Sequence, residues 1–156
     1  MNKWIYLSYP LTCKTPAYGG DVSIVIQGGK ILEKGDSCNT QYWSLSNHIG
    51  THIDFPRHFV SNGKTSSDYS PEFWILNFPL MIDISPIEPS WLIQPEDIPL
   101  MGATEYTDMV IIKTGFSVLR GNDIYFNQNP GFSPEVAVFL RERLPHLRVF
   151  GFDSIS

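Results

Sequence analysis

Two short apolar runs, residues 78–84 (Phe-Pro-Leu-Met-Ile-Asp-Ile) and 109–113 (Met-Val-Ile-Ile-Lys), constrain the fold of this chain more than any other stretch. Neither alternates apolar with polar positions, which is the mark of strands buried on both faces at the centre of a core sheet. Residues 147–152 read as another buried strand. Just before it, Ser133 followed by Pro134 starts a helix through Val136, Phe139 and Leu140 to about Leu144. Proline suits the first helical position because its missing N–H would be unpaired there anyway, and Pro145 stops the helix for lack of that same donor. Arg141 and Arg143 fall near its C-terminal end, where positive charge complements the helix dipole. A shorter helix is expected near Pro95-Glu96-Asp97.

Upstream, residues 4–7 form a short strand candidate, and residues 22–27 with 30–34 read as a hairpin closed by Gly28 and Gly29, a favoured two-residue turn. Residues 40–46 mix Tyr42, Trp43 and Leu45 with polar neighbours, as a half-buried strand does. Residues 61–70 and 121–131, rich in Asn, Gly, Ser and Asp, read as loops. There is no internal repeat or low-complexity tract. The expectation is one α/β domain over residues 1–156, with a mixed sheet and few flanking helices.

The strand at 40–46 leads into the richest chemistry of the chain, residues 47–59 (Asn-His-Ile-Gly-Thr-His-Ile-Asp-Phe-Pro-Arg-His-Phe), which hold three of its four histidines. His48, His52, Asp54 and His58 are imidazole and carboxylate donors of the kind that hold a first-row divalent metal. All four sit at even offsets, so extended backbone projects them to one face. Helix is disfavoured by Gly50, Thr51, Ile53 and Pro56. Ten residues of straight strand would nevertheless span about 33 Å, far beyond the reach of one ion, so the chain has to turn, with Gly50 and Pro56 as the natural places. The residues alone leave His58 open as a fourth ligand or as a base beside the metal. His146, with no such company, reads as an ordinary histidine.

The frame around this segment is that of a globular protein: 156 residues, 42% hydrophobic and 13% aromatic. A net charge of −5 with no run of Lys or Arg argues against nucleic acid as a partner. No stretch approaches the roughly 20 apolar residues of a membrane span, and residues 1–11 are too short and interrupted for a signal peptide, so a soluble, cytoplasmic protein is expected. Cys13 and Cys38 are then expected to be reduced and buried. Phe59, Trp74, Phe55 and Tyr18 either line an aromatic substrate pocket or pack in the core.

The segment His48-Ile49-Gly50-Thr51-His52-Ile53-Asp54-Phe55-Pro56-Arg57-His58-Phe59 resembles the signature of the cyclase family of metal-dependent hydrolases, of the kynurenine formamidase and isatin hydrolase type. Further pieces follow in family order: Leu7-Ser8 with Pro10-Leu11, Tyr18-Gly19-Gly20-Asp21, Thr114-Gly115-Phe116, residues 130–135 (Pro-Gly-Phe-Ser-Pro-Glu) and residues 151–156 (Gly-Phe-Asp-Ser-Ile-Ser). Tyr6 stands where the family often has aspartate, and Gly19 where it has proline. The resemblance implies a swivelling β/β/α fold, His48, His52 and Asp54 as metal ligands, and His58 as catalytic acid/base; of the aromatic residues above, Tyr18 and Phe59 are the substrate-binding candidates. It also implies a homo-oligomer. The family usually continues into a segment with a further histidine and glutamate that complete a second metal site, so the chain reads as truncated at its C-terminus, with that second site missing or incomplete.

The activity so implied is hydrolysis of a formamide or small cyclic amide, with zinc or alternatively manganese activating a water that attacks the carbonyl while His58 moves the proton. Two other classes compete with it. One is a weak or inactive homologue that keeps a metal- or ligand-binding role, and the other is an interaction module whose histidines are only polar loop residues. Turnover separates the first two, and metal content separates the third.

Overall fold

The computed structural model describes residues 6, 8–18 and 24–155. Among them the chain is a mixed α/β structure with seven strands and two helices of at least one α-turn. The core is a parallel three-stranded sheet in the order β3 (Pro79–Asp83), β5 (Met109–Lys113), β7 (Val149–Phe152). Its register runs from Pro79↔Met109 to Asp83↔Lys113 on one side and from Met109↔Val149 to Ile112↔Phe152 on the other. Two further strands, β4 (Leu92–Ile93) and β6 (Gly131–Phe132), pair in parallel. β1 (Ile24–Gly28) and β2 (Gln41–Leu45) form an antiparallel hairpin.

The strand at 109–113 is central, as its composition requires: Val110 and Ile112 are fully buried. They pack with Ile82, Ile93 and Ile98 against Val136, Leu140 and Leu144, from α2 (Pro134–Arg143) and the residue that caps it. The neighbouring run at 78–84 differs from expectation. It is an outer strand of this sheet, and Met81, on the face away from α2, is 66% exposed. Apolar density alone does not tell a strand covered on one side from a strand covered on two.

The helix at 134–143 begins after Ser133 and ends before Pro145, as its sequence dictates. The Pro95–Asp97 segment is a single 3-10 turn, capped by the Asp97 carboxylate, which accepts the Gln94 amide at 2.8 Å. Within 121–131, expected as loop, lie the one-turn helix α1 (Asp123–Asn127) and strand β6. The strand expected at 4–7 lies outside the described residues except for Tyr6, and Val22 lies outside them as well.

The hairpin expectation needs correcting. β1 pairs with Gln41–Leu45 and not with residues 30–34, where a 3-10 turn at Leu32–Lys34 stands instead. The Gly28-Gly29 turn is outcompeted by a longer closure in which Thr40 accepts the Gly29 amide at its carbonyl (2.9 Å) and the Lys30 amide at its hydroxyl (2.8 Å). Asp36 and Asn39 then accept the amides of Ile31 and Leu32 at 2.7 and 2.8 Å, so polar side chains close the loop in place of a ladder.

Both cysteines are free but exposed, contrary to the expected burial. Cys13 sits in a turn closed by the Thr15 amide on the Thr12 carbonyl, and Cys38 sits in the loop between β1 and β2, so neither reaches a core. No helix among the described residues is long and apolar enough to cross a membrane.

Candidate metal centre

β2 ends at Leu45, and three residues later the chain reaches His48. The Ser46 hydroxyl accepts the His48 amide at 3.1 Å and bends the backbone out of the strand. Ile49 turns inward to a small cluster with Ala17 and Ile24, which ties the segment to the base of the hairpin. Gly50 then adopts φ +65°, a left-handed conformation for which glycine carries no steric penalty. At the other end Pro56 opens a 3-10 turn, Pro56–His58, in which the His58 amide donates to the Phe55 carbonyl at 2.8 Å. The segment is therefore a looped chain with turns at Gly50 and Pro56, and turning, not strand alternation, gathers its side chains.

They gather around one atom. Asp54 Oδ1 lies 3.1 Å from His48 Nδ1, 3.5 Å from His52 Nε2 and 3.9 Å from His58 Nδ1. His52 Nε2 is also 2.8 Å from His48 Nδ1. Bonds of about 2.0–2.1 Å in a tetrahedral site set ligand atoms roughly 3.3 Å apart, so this donor set suits a single zinc-sized cation. Three electron-pair donors this close need an electrophile among them, a proton or a cation. The side chains are 22–33% exposed, which leaves the centre open to solvent.

The His52 tautomer follows from its other ring nitrogen. Nδ1 is 2.9 Å from the Gly50 carbonyl oxygen, which can only accept, so Nδ1 carries the proton and Nε2 presents its lone pair to the centre. This orienting acceptor is a residue that sequence reasoning read only as a turn. His58 stacks on His48 with ring centroids 4.7 Å apart and 18° between planes. Donor atoms of His48, Asp54 and His58 lie mutually within 4.8 Å, so distance alone admits His58 as a ligand too.

Phe59 is 85% exposed and meets the His58 ring edge-on at 4.5 Å, placing it at the rim of the centre. Tyr18 is 58% exposed and follows Ala17 of the small cluster; Gly19 to Asp21 lie outside the described residues. Phe55 and Trp74 belong to an aromatic cluster with Tyr69 and Phe73, at centroid separations of 4.5–6.0 Å, which packs the loop that follows the centre. His146 lies elsewhere, stacked on Tyr106 at 6.2 Å.

That loop is tied to the sheet by a pair that sequence reasoning did not single out. Arg148 donates to the carbonyls of Phe73 and Ile75 at 2.8 Å each and to Asp108 Oδ2 at 3.0 Å. Asp108 also accepts the amides of Asn77 and Phe78 at 2.8 and 3.0 Å. Burial pushes the Asp108 carboxyl up, but these amides and the guanidinium outweigh it and hold its pKa below the ordinary carboxylate value.

A family model named Cyclase, described as "Putative cyclase", matches residues 5–156. The chain is 28% identical over 155 residues to a protein named kynurenine formamidase from Bacillus thuringiensis subsp. konkukian (strain 97-27), covering 99% of this chain and 70% of that protein. Proteins of the same name from Bacillus mycoides (strain KBAB4) and Bacillus anthracis are 27% and 28% identical, with the same coverage.

Proposed function

The chain belongs to the cyclase family, and from that membership we propose that it is a metal-dependent amidohydrolase that cleaves the C–N bond of an arylformamide such as N-formylkynurenine. The observation that carries the proposal is the convergence of His48 Nδ1, His52 Nε2 and Asp54 Oδ1 within 2.8–3.5 Å of one another. These three residues would hold the ion, zinc by preference for imidazole and carboxylate, with manganese as the alternative. When bound, such an ion supplies Lewis acidity that makes water acidic enough to react at neutral pH and polarises a carbonyl.

The chain's own residues do the rest. His58, stacked on His48 and not needed to complete the three-residue set, takes the proton from the attacking water and returns it to the leaving nitrogen as general acid/base. A C–O bond forms, the C–N bond breaks, and formate and the free amine leave. Asp54 keeps the imidazoles of His48 and His52 directed at one point, and Gly50 fixes the orientation of His52. Phe59 at the rim, together with Tyr18, offers apolar surface to an aryl group. Two free, exposed thiols fit a reducing cytoplasm. We take residues 1–156 as one such domain, self-associated through its apolar surface.

The test is metal content per chain on protein purified without a histidine tag, with N-formylkynurenine hydrolysis followed on the same sample. One equivalent of zinc or manganese with turnover is the expected result. Metal without turnover on any arylformamide would favour the homologue that binds but does not catalyse, and no metal after incubation with zinc would remove the reading altogether.

A further inference from the structure

Pro56 and Arg57, which carry His58 into the centre, are pressed from behind by Gly63. A Cβ placed on Gly63 would lie 2.6 Å from the Pro56 carbonyl carbon and 2.7 Å from both the Pro56 oxygen and the Arg57 nitrogen. All three are backbone atoms, so no rotamer change can make room. The approach is fixed by hydrogen bonds on either side of it: the Arg57 amide donates to the Lys64 carbonyl at 3.1 Å, and the Gly63 amide to the Val60 carbonyl at 2.8 Å. Inside this closed loop the Phe59 and Val60 amides both donate to the Pro56 carbonyl, at 3.2 and 2.9 Å. Lys64 is held in turn by its neighbour: the amide and hydroxyl of Thr65 both donate to Asp68 Oδ2, at 2.7 and 2.9 Å.

His48 and His52 are held by different contacts. His52 is oriented by the Gly50 carbonyl, the His48 backbone by Ser46, and Ile49 is anchored on Ala17 and Ile24. A push on Pro56 is therefore expected to move His58 relative to His48 and His52, whose own anchors lie upstream. We propose that Gly63 is a positioning residue: its missing side chain lets the Gly63-Lys64 backbone seat the Pro56–His58 turn, and this seat sets the His58 imidazole against the metal ligands. The consequence for turnover rests on the role given to His58 above; the consequence for geometry does not.

Gly63→Ala is compared with wild type and with Gly28→Ala, a control whose added methyl meets nothing within 4 Å. The readouts are zinc content, steady-state kinetics on N-formylkynurenine, and NOE cross-peaks between histidine rings in the histidine-labelled full chain. His48 has ring neighbours His52 at 4.4 Å and His58 at 4.7 Å, so wild type gives a cross-peak to each. Gly63→Ala is expected to lose the His48–His58 cross-peak, keep the His48–His52 cross-peak and bind zinc. Its kcat should fall at least about tenfold with KM little changed, as displaced catalytic groups do.

Both cross-peaks intact would overturn the proposal, and so would loss of both, which would mean general collapse of the centre. If wild type hydrolyses nothing, or if Gly63→Ala loses the His58 cross-peak at full kcat, the functional reading fails while the positioning stands. Should Gly63→Ala not fold, Thr65→Ala loosens Lys64 without adding an atom. A weakened His48–His58 cross-peak is then expected, and an unchanged one counts against the proposal.

Discussion

His52 donates its Nδ1 proton to the Gly50 carbonyl oxygen at 2.9 Å, so the residue two positions upstream determines which nitrogen faces Asp54. The same glycine is at φ +65°, and a Cβ there would lie 2.6 Å from Leu11 Cδ2. Gly50→Ala is therefore expected to cost about 1–2 kcal/mol of stability from the backbone conformation and the displaced leucine. It should also weaken zinc binding by roughly 10-fold or more as the carbonyl shifts. Urea unfolding and chelator competition measure the two effects, and a variant with wild-type zinc affinity would detach the carbonyl from the role of orienting His52.

Substitution at the centre should divide the four residues into two groups. His48→Ala, His52→Ala and Asp54→Ala each remove an atom of the three-donor set and should purify with little metal and no turnover. His58→Ala should keep about one equivalent of metal while losing roughly two to four orders of magnitude in kcat, the range of a general acid/base. Elemental analysis alongside kinetics decides, and metal loss from His58→Ala equal to that from His52→Ala would make His58 a ligand.

Acid should reach the fold through Asp108. Its folded-state pKa is depressed, so its contribution to stability is complete above the unfolded value of about 3.9 and is lost as the pH falls below that toward the folded value. Asp108→Asn should lower stability near neutral pH by about 1–2 kcal/mol, because the Asn77 and Phe78 amides and the Arg148 guanidinium lose a charged acceptor there. The same variant should flatten the loss of stability below about pH 4. Denaturant midpoints at several pH values test this, and an acid limb of unchanged steepness in Asp108→Asn would rule Asp108 out as its source.

The β1–β2 hairpin carries Val25, Ile26, Tyr42, Trp43 and Leu45, all between 37% and 68% exposed. By the register of the pair, Ile26, Trp43 and Leu45 share one face and Val25 and Tyr42 the other; a two-stranded hairpin is marginal without a surface to pack on, and the face with Trp43 is the one offered to a second copy. Light scattering at micromolar concentration should give a dimer or larger assembly, and Trp43→Glu should shift it toward monomer. A wild-type monomer would remove self-association from the functional reading.

The sequence was most readable where its information is local. β5 and α2 are set by their own apolar density and by Pro134 and Pro145, and both fall where expected. The donor set was legible because His48, His52, Asp54 and His58 lie within eleven residues. What escaped were pairings decided at a distance or by side-chain hydrogen bonds. Thr40 overrides the Gly28-Gly29 turn, and the two-residue strands β4 and β6 have no periodicity to read. Asp108 and Arg148 show their purpose only once residues forty positions apart meet. Nor can spacing reveal that Gly63 touches Pro56, since glycine leaves no side chain to read.

The separation in sequence between the centre and the sheet bears on the order in which the protein is made. All four donors lie between residues 48 and 58, whereas β7 joins the sheet only when residues 149–152 have paired with β5. The nascent chain thus presents every donor roughly ninety residues before β7 exists. An ion captured by the partly made chain also binds the unfolded state, and ligand that binds both states stabilises the native one less than its affinity suggests. Added zinc should accordingly raise the melting temperature by less than tight binding to the native state alone would give.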